Sequence, residues 1–190
     1  KTFANVRKML EGDEKLLHGI LDMLTNISIS YLNKQIEAGI DVAMIFDTWG
    51  SLLNDEQYEK FSLRYINKIK HSISNQDIPL IYYVRETDKK LEALKSLDID
   101  VLGIDSTTEI GVIKKQIGDK FALQGNLDVN ILKKDEKDII IEIKKILTSY
   151  GSNSGHVFNL GTGITPDINP DKVKILIDNL ADISSKINVK

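Results

Sequence analysis

Five apolar stretches of this chain each end in side chains able to do chemistry. Asp47-Thr48 follows the run 41–46, Arg85 follows 79–84, and Asp105 follows 101–104. Asn126 and Asp128 follow 120–124, and Asn159 with Gly161-Thr162-Gly163 closes a run that begins at Gly155. Two aspartates brought to one rim could share acid–base work or hold an amine-type N–H. Each could equally accept hydrogen bonds from its own loop or cap the helix that follows. Arg85 is one of three arginines, with Arg7 and Arg64, and a guanidinium at a strand end suits a carboxylate or phosphate. A salt bridge to the adjacent Glu86 is the alternative. Gly161-Thr162-Gly163 could turn backbone N–H groups and a hydroxyl toward an anion, or form a plain tight turn.

The elements that must position these residues alternate in type. Apolar residues at three- and four-residue spacing predict two helices within 5–37, joined near Gly12-Asp13, and further helices over 55–72, 89–97, 110–117, 135–150 and 171–186. The runs between them are short and apolar on both faces, as strands of a covered parallel sheet are. Gly125-Asn126-Leu127-Asp128 is expected to be a loop. His156 opens the last strand at the end opposite the polar residues and is expected to be structural.

Five β-then-α units predict an α/β fold with right-handed crossovers. Polar residues after every strand favour a (β/α)8 TIM barrel, whose function sits at the strand C-termini, over a doubly wound sheet. Neither G-x-G-x-x-G nor a P-loop occurs. Five units cannot close eight strands, and the first residue is Lys1 rather than Met. The expected domain is therefore 1–190 as a partial barrel, with three N-terminal units outside it.

Composition removes other classes of function. The 25 basic and 28 acidic residues give a net charge of -3 without a basic stripe, so nucleic acid is not an expected partner. No cysteine is present, which removes disulfides, thiolate metal sites and thiol nucleophiles. No His pair has metal-ligand spacing and no G-x-S-x-G elbow occurs, so neither a metal nor a serine triad is expected. No apolar run reaches the length of about 20 residues that spans a membrane, and a cytoplasmic location is expected.

Four segments, Phe46-Asp47-Thr48-Trp49-Gly50, Gly103-Ile104-Asp105-x-Thr107-Thr108, Leu123-Gln124-Gly125-Asn126-Leu127-Asp128 and 155–164, resemble uroporphyrinogen decarboxylases in order and spacing. Similarity extends from Lys1-Thr2-Phe3 to Pro170-Asp171-Lys172-Val173, so the chain resembles the C-terminal half of such an enzyme. The resemblance implies a homodimeric, cofactor-free carboxy-lyase of haem biosynthesis. Its substrate would be uroporphyrinogen III, and its product coproporphyrinogen III after loss of four carboxyl groups as CO2. It places Thr48 at a substrate-contacting Ser/Thr position, and Thr162 where the family has a substrate-contacting histidine. The catalytic residues, with an Arg-rich motif and an aspartate that gathers pyrrole N–H groups, are expected to precede Lys1.

Thr162, Ser106 for tryptophan, Val129 for proline and Thr87 for glycine depart from the family pattern. Two alternatives follow: a non-catalytic member that binds a tetrapyrrole or a partner subunit, and a related methyltransferase. The absence of cysteine opposes the methyltransferase's His/Cys zinc site. The 190-residue chain by itself is expected to be inactive.

Overall fold

The computed structural model describes residues 3–152 and 154–187, so Lys1 and Thr2 of the opening segment lie outside the described residues. Helices α1 (Ala4–Gly12) and α2 (Glu14–Glu37) meet at Asp13, whose carboxylate accepts the Leu16 N–H at 3.0 Å and starts α2. Five parallel strands follow in spatial order β1-β2-β3-β4-β5: Ala43–Phe46, Leu80–Tyr83, Val101–Gly103, Ala122–Leu127 and His156–Leu160. After β1, α3 (Asp55–Tyr58) passes through a π-helical turn, Glu59–Leu63, into α4 (Arg64–Ser72). Helices α5 (Leu91–Leu94), α6 (Ile110–Ile117), α7 (Glu136–Tyr150) and α8 (Pro170–Ile187) follow β2 to β5 in turn. The five βα units predicted from periodicity are all present.

Three boundaries differ from expectation. Strand β1 begins at Ala43, two residues inside the apolar run. The helix expected over 89–97 is a 3-10 turn, Thr87–Lys90, followed by the single turn of α5. Strand β4 continues through Gly125 and Asn126 to Leu127, where a loop was expected. Gly125 marks a close approach between strands, because a Cβ there would stand 2.6 Å from the Ile104 carbonyl oxygen.

The register aligns Phe46, Tyr83, Gly103, Gln124 and Val157 in one row across the sheet. Tyr82, one residue out of that row, is fully buried and bonds to Tyr58 of α3, so the Tyr82 row faces the helices. The Tyr83 row faces the other way. Leu80, Leu102 and Leu123 pack with Ile113, Ile139 and Ile143 in the core between sheet and helices.

The sheet is curled. The Tyr83 hydroxyl, on β2, donates to the Gly161 carbonyl just beyond β5 at 3.0 Å. In a flat sheet those strands would stand about 14 Å apart, roughly twice what a tyrosine side chain can reach. Gly103, between them, leaves room for the ring; a Cβ there would sit 3.1 Å from that of Tyr83. The curvature puts the Tyr83 row on the concave face, as in the wall of a (β/α)8 barrel.

Candidate functional site at the strand C-termini

The strand ends form one rim, and each loop on it is held differently. After β1, the Asp47 N–H extends the ladder to the Tyr83 carbonyl at 2.8 Å. The Asp47 carboxylate turns to the helix side, where it accepts from the Tyr82 hydroxyl at 2.8 Å and from the Ser62 hydroxyl. Tyr58 donates in turn to Tyr82 at 2.6 Å. Ser62 lies in the π-helical turn. Gly50 closes the loop, and only a glycine fits, since a Cβ would fall 2.3 Å from the Asp47 carboxylate. Thr48 is left half-buried on the rim, with Trp49 beside it 49 % exposed.

After β3, Asp105 is 2 % exposed and both carboxylate oxygens are occupied, one by the Glu86 N–H and one by the Thr107 hydroxyl, each at 2.8 Å. The buried Asn126 amide donates to the carbonyls of Asp105, at 3.0 Å, and of Thr108. Asp47 and Asp105 therefore share no partner. Of the two roles open to them from sequence, the structure supports the anchoring of loops. Asp128 likewise caps its own turn through the Asn130 N–H at 2.9 Å.

The expected Arg85–Glu86 alternative is not formed. Glu86 pairs with Lys89 at 3.0 Å, while the Arg85 guanidinium lies over the Trp49 ring, 5.3 Å from its centroid. After β5, Gly161 donates its N–H to the Leu127 carbonyl at 2.8 Å, so that donor is not offered to an anion. A Cβ at Gly161 would lie 2.4 Å from the Ser106 nitrogen. Its glycine is needed for close packing of two rim loops. Thr162 is exposed, and Gly163 has open space around it.

The buried tyrosines are neutral donors. Burial, followed by the Asp47 charge, pushes Tyr82 well above the ordinary phenol range, and burial also raises Tyr58 and Tyr83. His156 sits at the far end of β5, where its Nε2 bonds the Gly125 carbonyl at 2.8 Å and its ring stacks on Tyr150. Burial lowers its pKa, opposed by that hydrogen bond. This is the structural role expected of it. Sequence reasoning missed Trp49, the partner of Arg85, and Tyr83, the tie across the sheet. The only available signal for Trp49 was that it is the sole tryptophan.

The rim thus carries Thr48, Thr162 and the Arg85 guanidinium above a concave face bearing the uncharged Phe46, Tyr83, Gly103, Gln124 and Val157. That set can hydrogen-bond and charge-pair an anionic ligand. A cleft of about 440 Å³ opens beside it at the β1 edge, walled by Phe46, Asp47 and Trp49 of the rim together with Phe3, Leu10 and Phe61. Among the described residues no group of three or more His, Asp or Glu could hold a metal ion. No helix among them is long and apolar enough to cross a membrane.

Comparison with known proteins adds the family. The family described as "Uroporphyrinogen decarboxylase (URO-D)" matches residues 1–182. A uroporphyrinogen decarboxylase of Tolumonas auensis is 43 % identical over 182 residues, covering 94 % of this chain and 51 % of the relative. One from Coxiella burnetii is 42 % identical over 190 residues, covering 98 % and 53 % respectively. The chain spans about half the length of the curated relatives it matches. Among solved structures, a methyltransferase from Methanosarcina mazei superposes with a TM-score of 0.84 at 23 % identity, covering 96 % of this chain and 54 % of its own; that likeness concerns the fold. With the four strand-end motifs in place on one rim of a curled parallel sheet, the chain belongs to the uroporphyrinogen decarboxylase family.

Proposed function

We propose that residues 1–190 supply the C-terminal five βα units of a (β/α)8 uroporphyrinogen decarboxylase, the remaining units preceding them. The reaction replaces each of four acetate carboxyl groups by a proton, giving coproporphyrinogen III and four CO2 without a cofactor. In this reading a pyrrole carbon is protonated before CO2 leaves, so the site must hold carboxylates while tolerating positive charge on the ring. Thr48 and Thr162 contact the substrate from opposite ends of the rim. The enzyme works as a homodimer in the cytoplasm.

The observation that supports this most is the division of labour at the rim. Asp47 and Asp105 are withdrawn into the scaffold, and hydroxyls and a guanidinium are left to meet a polyanion. The proton-moving residues belong to the preceding units.

The test is to join the chain to the N-terminal half of the Tolumonas auensis relative and supply uroporphyrinogen III under anaerobic conditions. Chromatography should show porphyrinogens with seven, six, five and finally four carboxyl groups. A folded chimaera that removes no CO2 would overturn the proposal. The 190-residue chain alone should show no turnover.

A further inference from the structure

We infer that Arg85, stacked on Trp49, is a carboxylate-binding residue of this rim that selects for the more highly acidic tetrapyrroles. The inference rests on the decarboxylase reading above and deepens it, giving the rim guanidinium a role in choosing among tetrapyrroles.

Three observations carry it. The guanidinium lies over the Trp49 ring, 5.3 Å from its centroid, within range of a cation–π attraction that leaves its N–H groups unengaged. Among the described residues it makes no ion pair or side-chain hydrogen bond, because the nearest acid in sequence, Glu86, is taken by Lys89 and turns its own N–H to Asp105. The lysines of the rim loops differ: Lys89 and Lys90 each have a carboxylate partner, Glu86 and Asp55. Trp49 directly follows Thr48, the residue that the decarboxylase reading assigns to substrate contact.

A flat cation held on an aromatic face meets a carboxylate edge-on with little further loss of side-chain freedom. A lysine would lack both the stack and the fork. The contact should therefore strengthen binding of ligands with more carboxylates, and it should weaken with salt.

Trp49 is the only tryptophan, so its emission follows porphyrin binding to the chain, and the Arg85 variants assign the contact. The 190-residue chain is titrated with uroporphyrin III, the stable oxidised octa-acid, and with coproporphyrin III, the tetra-acid. Emission is corrected for light absorbed by the porphyrin. Saturable quenching is expected, tighter for uroporphyrin and weakened by potassium chloride. Arg85→Gln should raise the uroporphyrin Kd at least tenfold and narrow its advantage over coproporphyrin. Arg85→Lys should fall between. Circular dichroism and melting temperature should stay as in the wild type.

An unchanged Kd in folded Arg85→Gln overturns the inference while leaving the decarboxylase proposal, which the chimaera assay decides, untouched. Should Arg85→Gln fail to fold, Arg85→Lys decides in its place, with binding equal to wild type counting against the inference. Absence of saturable quenching in the wild-type chain also overturns it.

Discussion

The two ends of the rim occupy equivalent places in the fold and are built in opposite ways. The β1 loop is braced from behind: Asp47 is tied to Tyr82, Ser62 and, through Tyr82, to Tyr58, and Gly50 packs on the Asp47 carboxylate. The β5 loop is held at its root alone, where Gly161 is pressed against Asp105-Ser106 and bonded to Leu127 and Tyr83, while Thr162 and Gly163 stand clear. One loop carries Thr48 in front of a polar network. The other presents Thr162 beyond a single packed residue.

That contrast gives predictions that run from large effects to small. Gly161→Ala should cost about 3 kcal/mol, since the added carbon meets backbone that cannot move aside. Gly163→Ala should cost less than about 0.5 kcal/mol. Chemical denaturation measures both, and similar costs would break the contrast. Asp47→Ala should come next, at about 2–3 kcal/mol, because it leaves the Tyr82 and Ser62 hydroxyls buried without their acceptor. Asp47→Asn, which keeps an acceptor oxygen, should recover about half of that.

Tyr83→Phe removes one hydrogen bond and should cost about 1 kcal/mol, read by the same denaturation. His156 sharpens the contrast from the other end of β5. Its pKa is lowered by burial, so between the folded and unfolded values the unfolded chain binds more protons and stability rises with pH. Stability should be complete above about pH 6.5 and decline on acidification below it. His156→Gln should flatten that portion of a pH–melting curve. Thr162→His should shift stability by less than about 0.5 kcal/mol. In the chimaera with a relative's N-terminal half it should maintain or raise decarboxylation, and a large loss would mean the loop serves another use.

Much of the fold was legible because it depends on local periodicity. Helix α6 falls on the predicted 110–117, and all five strands lie where short apolar runs stand between amphipathic segments. The miss at β4 came from reading Gly125 as a turn, when it is a strand residue that the Ile104 carbonyl approaches closely. At the rim the polar residues could be found but not their directions. Those are set by Ser62, Tyr82 and Glu86, which lie 15, 35 and 19 residues from the aspartates they bond. Arg85 on Trp49 and Tyr83 on Gly161 likewise join segments that no spacing rule connects.

The bond from Tyr83 to Gly161 also bears on how the mouth moves. It acts as a latch between the second strand and the last loop, so displacement of either is felt by the other. A latch worth about 1 kcal/mol leaves the released form at roughly one molecule in six, close enough in energy for a ligand to tip. A ligand settling against Thr162 would then reset the position of Tyr83, three strands away. Entry at one side of the mouth would be registered at the other without any hinge.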